Sequence, residues 1–349
     1  MKAIKGKLRT QDLALSRIAA KTWGPSLAKA REVYTKCIRA AVAFGASTYH
    51  QPTEPRGKPR GIAKELAIAQ NRSLRVVAGA YKATPIRNLE TETWVPPIDL
   101  YLNKIRADFE RRTYPEQWQP EPGPAREPVE PVERQLQPAP KGEIISRACR
   151  KLFQRFKRGR RARGPQSPTA LEKDSAILRQ WVANDLADTS RAVEREWEAR
   201  WKEGREGRVA TRPADDYKPK ALFTDQALQR HEGLNKAQSS LLVQARTGAI
   251  GLRSFLFRRS VPGVVTPYCS CGEGEETVEH LVIWCYAPPH PRRWPWREIS
   301  SRRDLYTMLD ARTKRTAWLA RRVIGWLMDS GLLKEYSLAR KLELESEGG

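Results

Sequence analysis

The 349 residues carry a formal net charge of +24 and an isoelectric point near 10.1, and the chain is long enough for two domains that each bury a core. That balance points to nucleic acid or another polyanion as partner, although a merely basic surface would show it too. No run approaches the roughly eighteen apolar residues that a membrane span needs, the first residues lack the apolar core of a signal peptide, and Cys37 and Cys149 stand alone, so membrane insertion, secretion and a disulfide framework are all excluded as expectations.

From about Gln11 to Thr113 apolar residues recur at three- and four-residue intervals, as in SLAKAREVYTKCIRAAVAFGA and IDLYLNKIRADFERR. Each such piece stops near Gly, Pro or a polar cluster, which predicts a helical segment over 1–115. Residues 116–166 are dense in Pro, Glu and Gln and then basic, a composition that buries too little to order itself and reads as a disordered linker. Its basic end contains Lys157, Arg158, Arg160, Arg161 and Arg163. Such a tract fits phosphate binding or nuclear import, and equally a solvated run of charge.

Helical patterning resumes at Ser167, a residue suited to cap a helix with Pro168 in the first turn, and predicts a long amphipathic helix region over 167–210. Leu178, Trp181, Val182, Leu186, Val193, Trp197 and Trp201 share its apolar face, as core residues more than as stacking platforms. A polar gap follows with Asp215 and Asp216 side by side. Paired aspartates bind catalytic metals at the turn of an apolar hairpin, and no apolar strand flanks this pair.

The last module, 219–345, holds the densest chemistry. Cys269-x-Cys271-x8-His280-x4-Cys285 supplies three thiols and an imidazole, the donor set and approximate spacing of a structural zinc site. Gly272 and Gly274 loosen the chain behind the first pair, and ETVEHLVIWC reads as a short helix. Five positions in a regular helix leave Cys285 about 140° away from His280, so the last turn must unwind for both to reach one ion. A closed set of four leaves no position for water or substrate, and the ion would be a staple. Glu273, Glu275, Glu276 and Glu279 make the loop acidic. Phosphate contacts must therefore come from flanking Arg246, Arg253, Arg258 and Arg259 before it and Arg292, Arg293, Arg297, Arg302 and Arg303 after it. Trp294 and Trp296 among these arginines fit either stacking on unpaired bases or a helical core. The stretch from Asp304 onward predicts two or three amphipathic helices broken at Ser330 and Gly331, with Leu305, Leu309, Trp318, Val323, Leu327 and Leu338 facing the core.

The fold expected is mainly α, two helical modules joined by the Pro-rich linker, with a small zinc-knuckle-like insert in the second. The stretch LNKAQSSLLVQARTGAIGLRSFLFRRSVPGVVTPYCSCGEGEETVEHLVIWC resembles the C-terminal Cys-Cys-His-Cys region of the reverse-transcriptase proteins of non-LTR retrotransposons, those of fungi in particular. ALSRIAAKTWGPSLAKAREVYTKCIRAAVAFGASTYH and LAIAQNRSLRVVAGAYKATPIRNLETETWVPPIDL are similar to the helical segment that follows the palm in the same family. The resemblance implies that Cys269, Cys271, His280 and Cys285 form the family's zinc-knuckle-like motif and help to hold RNA or DNA. It places the family's palm aspartates upstream of residue 1, and the carboxylates of its ribonuclease H domain have no counterpart here. It also implies a nuclear, otherwise cytoplasmic, protein able to act with a complete element protein in trans. A non-catalytic nucleic-acid-binding remnant is the reading these features favour. A divergent ribonuclease H or nuclease, and a protein-interaction module without nucleic acid, are the alternatives; magnesium-dependent cleavage of an RNA:DNA hybrid or salt-insensitive association would mark them.

Overall fold

The computed structural model describes residues 10–118, 169–206 and 223–347, apart from positions 12, 183, 184, 186 and 187. The expected linker starts later than residue 116, because Pro115–Trp118 forms a 3-10 turn whose Trp118 is buried beside Leu100 and Ala107. The rest of the linker, the basic tract with Lys157, Arg158, Arg160, Arg161 and Arg163, the Ser167–Pro168 cap, Leu186 and the pair Asp215–Asp216 lie outside the described residues. Among the described residues the structure is mainly helical and contains no strand longer than an isolated bridge.

After helical backbone at 13–18, which places Leu15 in the core, the first unit continues with α1 (Leu27–Val33), which runs through a π-helical stretch, Tyr34–Ile38, into α2 (Arg39–Ala43). It continues with α3 (Ala46–Tyr49), α4 (Gly61–Ala78), α5 (Ile86–Thr93) and α6 (Ile98–Thr113). Leu27, Tyr34, Ile38, Leu66, Leu74, Val77, Leu89 and Leu102 form its core. They recur at the three- and four-residue spacing that puts one face of each helix inward.

Instead of one long helix, the next region forms two, α7 (Ala170–Val182) and α8 (Thr189–Glu206). The break falls where short polar side chains compete with the helical ladder. The Asp188 carboxylate accepts the Ser190 N–H at 2.9 Å, and Thr189 Oγ1 donates to Asp108 Oδ1 of α6 at 2.7 Å. Both helices pack on α6. Leu178, Trp181, Val182, Val193 and Trp197 are buried there with Leu100 and Ala107, so the tryptophans are core as expected, and Trp201 is buried beside them.

A 3-10 turn, Asp225–His231, leads into α9 (Lys236–Thr247), which an Asn235/Gln238 capping box opens. Almost every side chain of α9 is buried. Leu241 and Leu242 belong to the C-terminal core, while Val243 belongs to the core of the first unit. Lys236 Nζ donates to the Val76 and Val77 carbonyls at 2.9 and 2.6 Å, satisfying orphan acceptors at the end of α4. Gly79 closes α4 with φ +62°, and a Cβ there would stand 1.9 Å from Ser240 Oγ of α9, so glycine is needed for the helices to meet.

After α10 (Arg253–Phe257) and the cysteine loop come α11 (Arg302–Leu309), α12 (Lys314–Asp329) and α13 (Lys334–Glu347). These are the expected C-terminal helices, broken at Ser330 and Gly331. Leu305, Leu309, Val323 and Leu327 are buried, but Trp318 is 41 % exposed and Leu338 67 % exposed. Trp318 shares the outward stripe of α12 with Arg315 and Arg322, which sit over its ring at 5.4 and 4.2 Å from its centroid, while Leu319, Ala320, Val323 and Ile324 take the inward face. On α13 the inward position goes to Tyr336, which is fully buried.

Candidate metal centre

The four expected ligands converge. One donor atom from each of Cys269, Cys271, His280 and Cys285 lies within 4.8 Å of the others, and the group could hold a metal ion. Cys269 Sγ and Cys285 Sγ are 3.8 Å apart, and Cys271 Sγ is 3.1 Å from His280 Nε2.

Local backbone bonds explain the convergence. Tyr268 and Glu275 form an antiparallel bridge, and within it the Cys269 N–H donates to the Gly274 carbonyl at 2.8 Å, so the loop carrying the first two cysteines is closed on itself. Gly272 takes φ +85° in the turn, and a Cβ on Gly274 would come within 2.8 Å of His280 Nδ1. The imidazole therefore packs against a position that only glycine leaves open. The second pair comes from a π-helical turn, His280–Trp284, closed by the Cys285 N–H donating to the His280 carbonyl at 2.7 Å. The turn is widened where unwinding was expected. An i to i+5 turn brings residues five apart into register, which a regular helix does not.

Burial sets the electrostatics. It pushes the Cys285 thiol up to about 12. At Cys271 burial also acts upward, but the Glu273 N–H and the neighbouring thiols outweigh it and lower the group. Burial and then Arg292 lower His280, which favours the neutral imidazole a ligand must be.

The flanking arginines divide into distinct roles. Arg246 does not face a polyanion: its side chain is 8 % exposed, and it donates from Nε to Glu92 at 2.9 Å and from Nη1 to Asp310 at 2.6 Å. Arg292 holds the π turn, with Nη2 on the Leu281 and Cys285 carbonyls at 3.0 and 2.6 Å. The Arg253 N–H donates to Glu276 at 2.9 Å and Arg258 pairs with Glu275. The loop acids thus anchor α10. Arg258 and Arg259 are exposed, as are Arg293, paired with Asp329 at 3.0 Å, and Arg297 and Arg303. Arg302 lies over the exposed Trp284 ring at 5.3 Å. Trp294 is buried and stacks edge-on against Trp326, 5.4 Å away; it belongs to the core, and the side chain of Trp296 lies outside the described residues.

A buried ionic cluster had no signal in the sequence beyond scattered charges. Glu92 of α5 receives Arg230 Nη1 at 2.9 Å as well as Arg246, and His231 Nε2 is 3.9 Å away. Burial alone would raise Glu92, yet Arg230 and Arg246 hold it well below the ordinary carboxylate range. Comparison of the chain with protein families, with curated proteins and with solved structures gives no match.

Proposed function

We propose that the chain is a non-catalytic nucleic-acid-binding protein in which a structural zinc ion, held by Cys269, Cys271, His280 and Cys285, fixes the placement of basic side chains. The carrying observation is the donor set, three thiols and one imidazole within 4.8 Å of one another. Sulfur and imidazole donors suit zinc over hard cations, and four of them leave no corner for a substrate or water. A zinc–sulfur bond of about 2.3 Å sets neighbouring tetrahedral corners about 3.8 Å apart, which is the separation of the Cys269 and Cys285 sulfurs, 3.8 Å.

The metal cluster carries net negative charge, so affinity for phosphate comes from the surface around it, where Arg258, Arg259, Arg293, Arg297 and Arg303 are exposed. The net charge of +24 favours a polyanion as partner, RNA or DNA. Packing of α9 against α1 and α4 brings together the two stretches that resemble the retrotransposon reverse-transcriptase proteins.

Metal content of the purified full chain, with a salt series of single-stranded RNA binding before and after chelation, tests this. The expected result is about one zinc per chain, lost in Cys285→Ser, and an affinity that falls steeply with salt and weakens on chelation. A chain that binds no metal, salt-insensitive association, or magnesium-dependent cleavage of an RNA:DNA hybrid would overturn it.

A further inference from the structure

Two exposed aromatic rings stand at the end of the π-helical turn, Trp284 at 50 % exposure and Tyr286 at 70 %, on either side of the fully buried Cys285. The backbone at Cys285 is extended, so its two neighbours project to the side away from its thiol. We propose that Trp284, with Tyr286 beside it, is a platform on which unpaired bases of single-stranded RNA or DNA stack. The inference rests on the nucleic-acid reading above and adds the chemistry of the contact, a base face in addition to phosphate.

Trp294 and Trp326 are buried against each other, whereas among the described residues no aromatic ring packs on Trp284 or Tyr286. Trp284 has instead the Arg302 guanidinium, 5.3 Å from its ring centroid. A cleft of about 160 Å³ opens beside the indole, walled by Arg292, Trp294, Ile299 and Ser300. It is smaller than the roughly 300 Å³ of a small-molecule site, and it suits one flat group that reaches in while its chain stays outside. Charge then decides which part of a nucleotide goes where. The Tyr286 hydroxyl donates to the Cys271 carbonyl at 2.9 Å, at the loop that carries Glu273 and Glu275; phosphate is repelled there and an uncharged base is not. Beyond Trp284, Arg302 and the exposed Arg297 and Arg303 flank Ser300 of the cleft in the chain, where they can take the phosphates next to a stacked base. A polyanion that carries aromatic faces matches rings set among arginines; an apolar protein segment supplies no charge for them. The metal centre places the platform. Arg292 Nη2 on the Leu281 and Cys285 carbonyls, and the Cys285 N–H on the His280 carbonyl, fix the backbone on both sides of Trp284.

Fluorescence anisotropy of the full chain with two labelled single strands of about twelve nucleotides tests the platform, one an oligodeoxyadenylate and the other an abasic strand of equal length. The base-bearing strand is expected to bind about tenfold more tightly. Trp284→Ala should abolish most of that preference and Trp284→Phe should keep it. Trp318→Ala, which removes an exposed indole already covered by two arginines of α12, should leave it unchanged. Affinity for the abasic strand and its salt dependence should be the same in all four proteins, because the phosphate contacts stay. Equal affinity of the wild type for the two strands would overturn the platform without recourse to any variant. So would a Trp284→Ala chain that keeps the preference, or a Trp318→Ala chain that loses it to the same extent. Salt-sensitive binding of both strands with no preference would still leave the broader nucleic-acid reading intact, whereas binding of neither strand would sink both.

Discussion

Arg246 and Arg258 both precede the cysteine cluster, and depth in the fold gives them opposite tasks. Arg246 shares Glu92 with Arg230 and also holds Asp310, so Arg246→Gln leaves buried carboxylates short of charge and should cost about 3 kcal/mol. Arg258 is 61 % exposed beside Glu275, and Arg258→Gln should cost less than about 1 kcal/mol. Urea midpoints of the two variants check the contrast; equal shifts would mean that the buried cluster is energetically idle. Glu90 belongs to the same depth. Burial, then the charge of Asp99, pushes it up to about 8 while Arg200 pulls the other way. Being an acid with a folded pKa above its unfolded value, it contributes stability that is present below about 4.5 and lost as pH rises toward about 8. Glu90→Gln should therefore unfold at higher urea than the wild type at pH 8, with the gap closing toward pH 5; a gap independent of pH would refute the assignment.

At the scale of elements, the metal loop depends on backbone that only some residues permit. Gly274→Ala places a methyl group 2.8 Å from His280 Nδ1, and the imidazole must swing away from the thiols. Zinc affinity, measured by competition with a chromogenic chelator, should drop at least about tenfold while the helical content by circular dichroism stays unchanged; undiminished affinity would show that the ring has room to move. The helices and the convergence of the three cysteines with His280 are legible because periodicity and spacing are properties of one segment read alone. Cys285 was correctly placed with His280, but the means was a widened turn, since spacing states that a regular helix fails without stating how the chain deviates. Trp318 and Leu338 match the inward spacing and still face out. On α12 the inward face is filled by Leu319, Ala320, Val323 and Ile324, which leaves the first outside with Arg315 and Arg322 over its ring, and which face of α13 meets a neighbour is decided by Tyr336 reaching Gln244, at 2.7 Å, from a distant segment. Arg246 was misplaced for a related reason: composition records the sign of a side chain, and only packing records whether Glu92 and Asp310 surround it.

Across the whole molecule, α9 makes the two helical units dependent on each other. Val243 fills the core of the first, Leu241 and Leu242 that of the second, and Lys236 with Gln244 binds the end of α4 at the Val76, Val77 and Gly79 carbonyls. Residues 10–118 produced alone should thus lack a cooperative thermal transition, and adding residues 223–347 in trans should restore one; a sharp transition for the isolated fragment would show that its core closes unaided. Synthesis adds a timing consequence. The helices up to α6 leave the ribosome while α9 is still unmade, and at ordinary elongation rates the interval from Trp118 to Lys236 lasts roughly 6 to 24 s. Throughout that wait the seat of Val243 and the last carbonyls of α4 face water, so the nascent chain offers chaperones an apolar groove that the finished protein fills with its own helix.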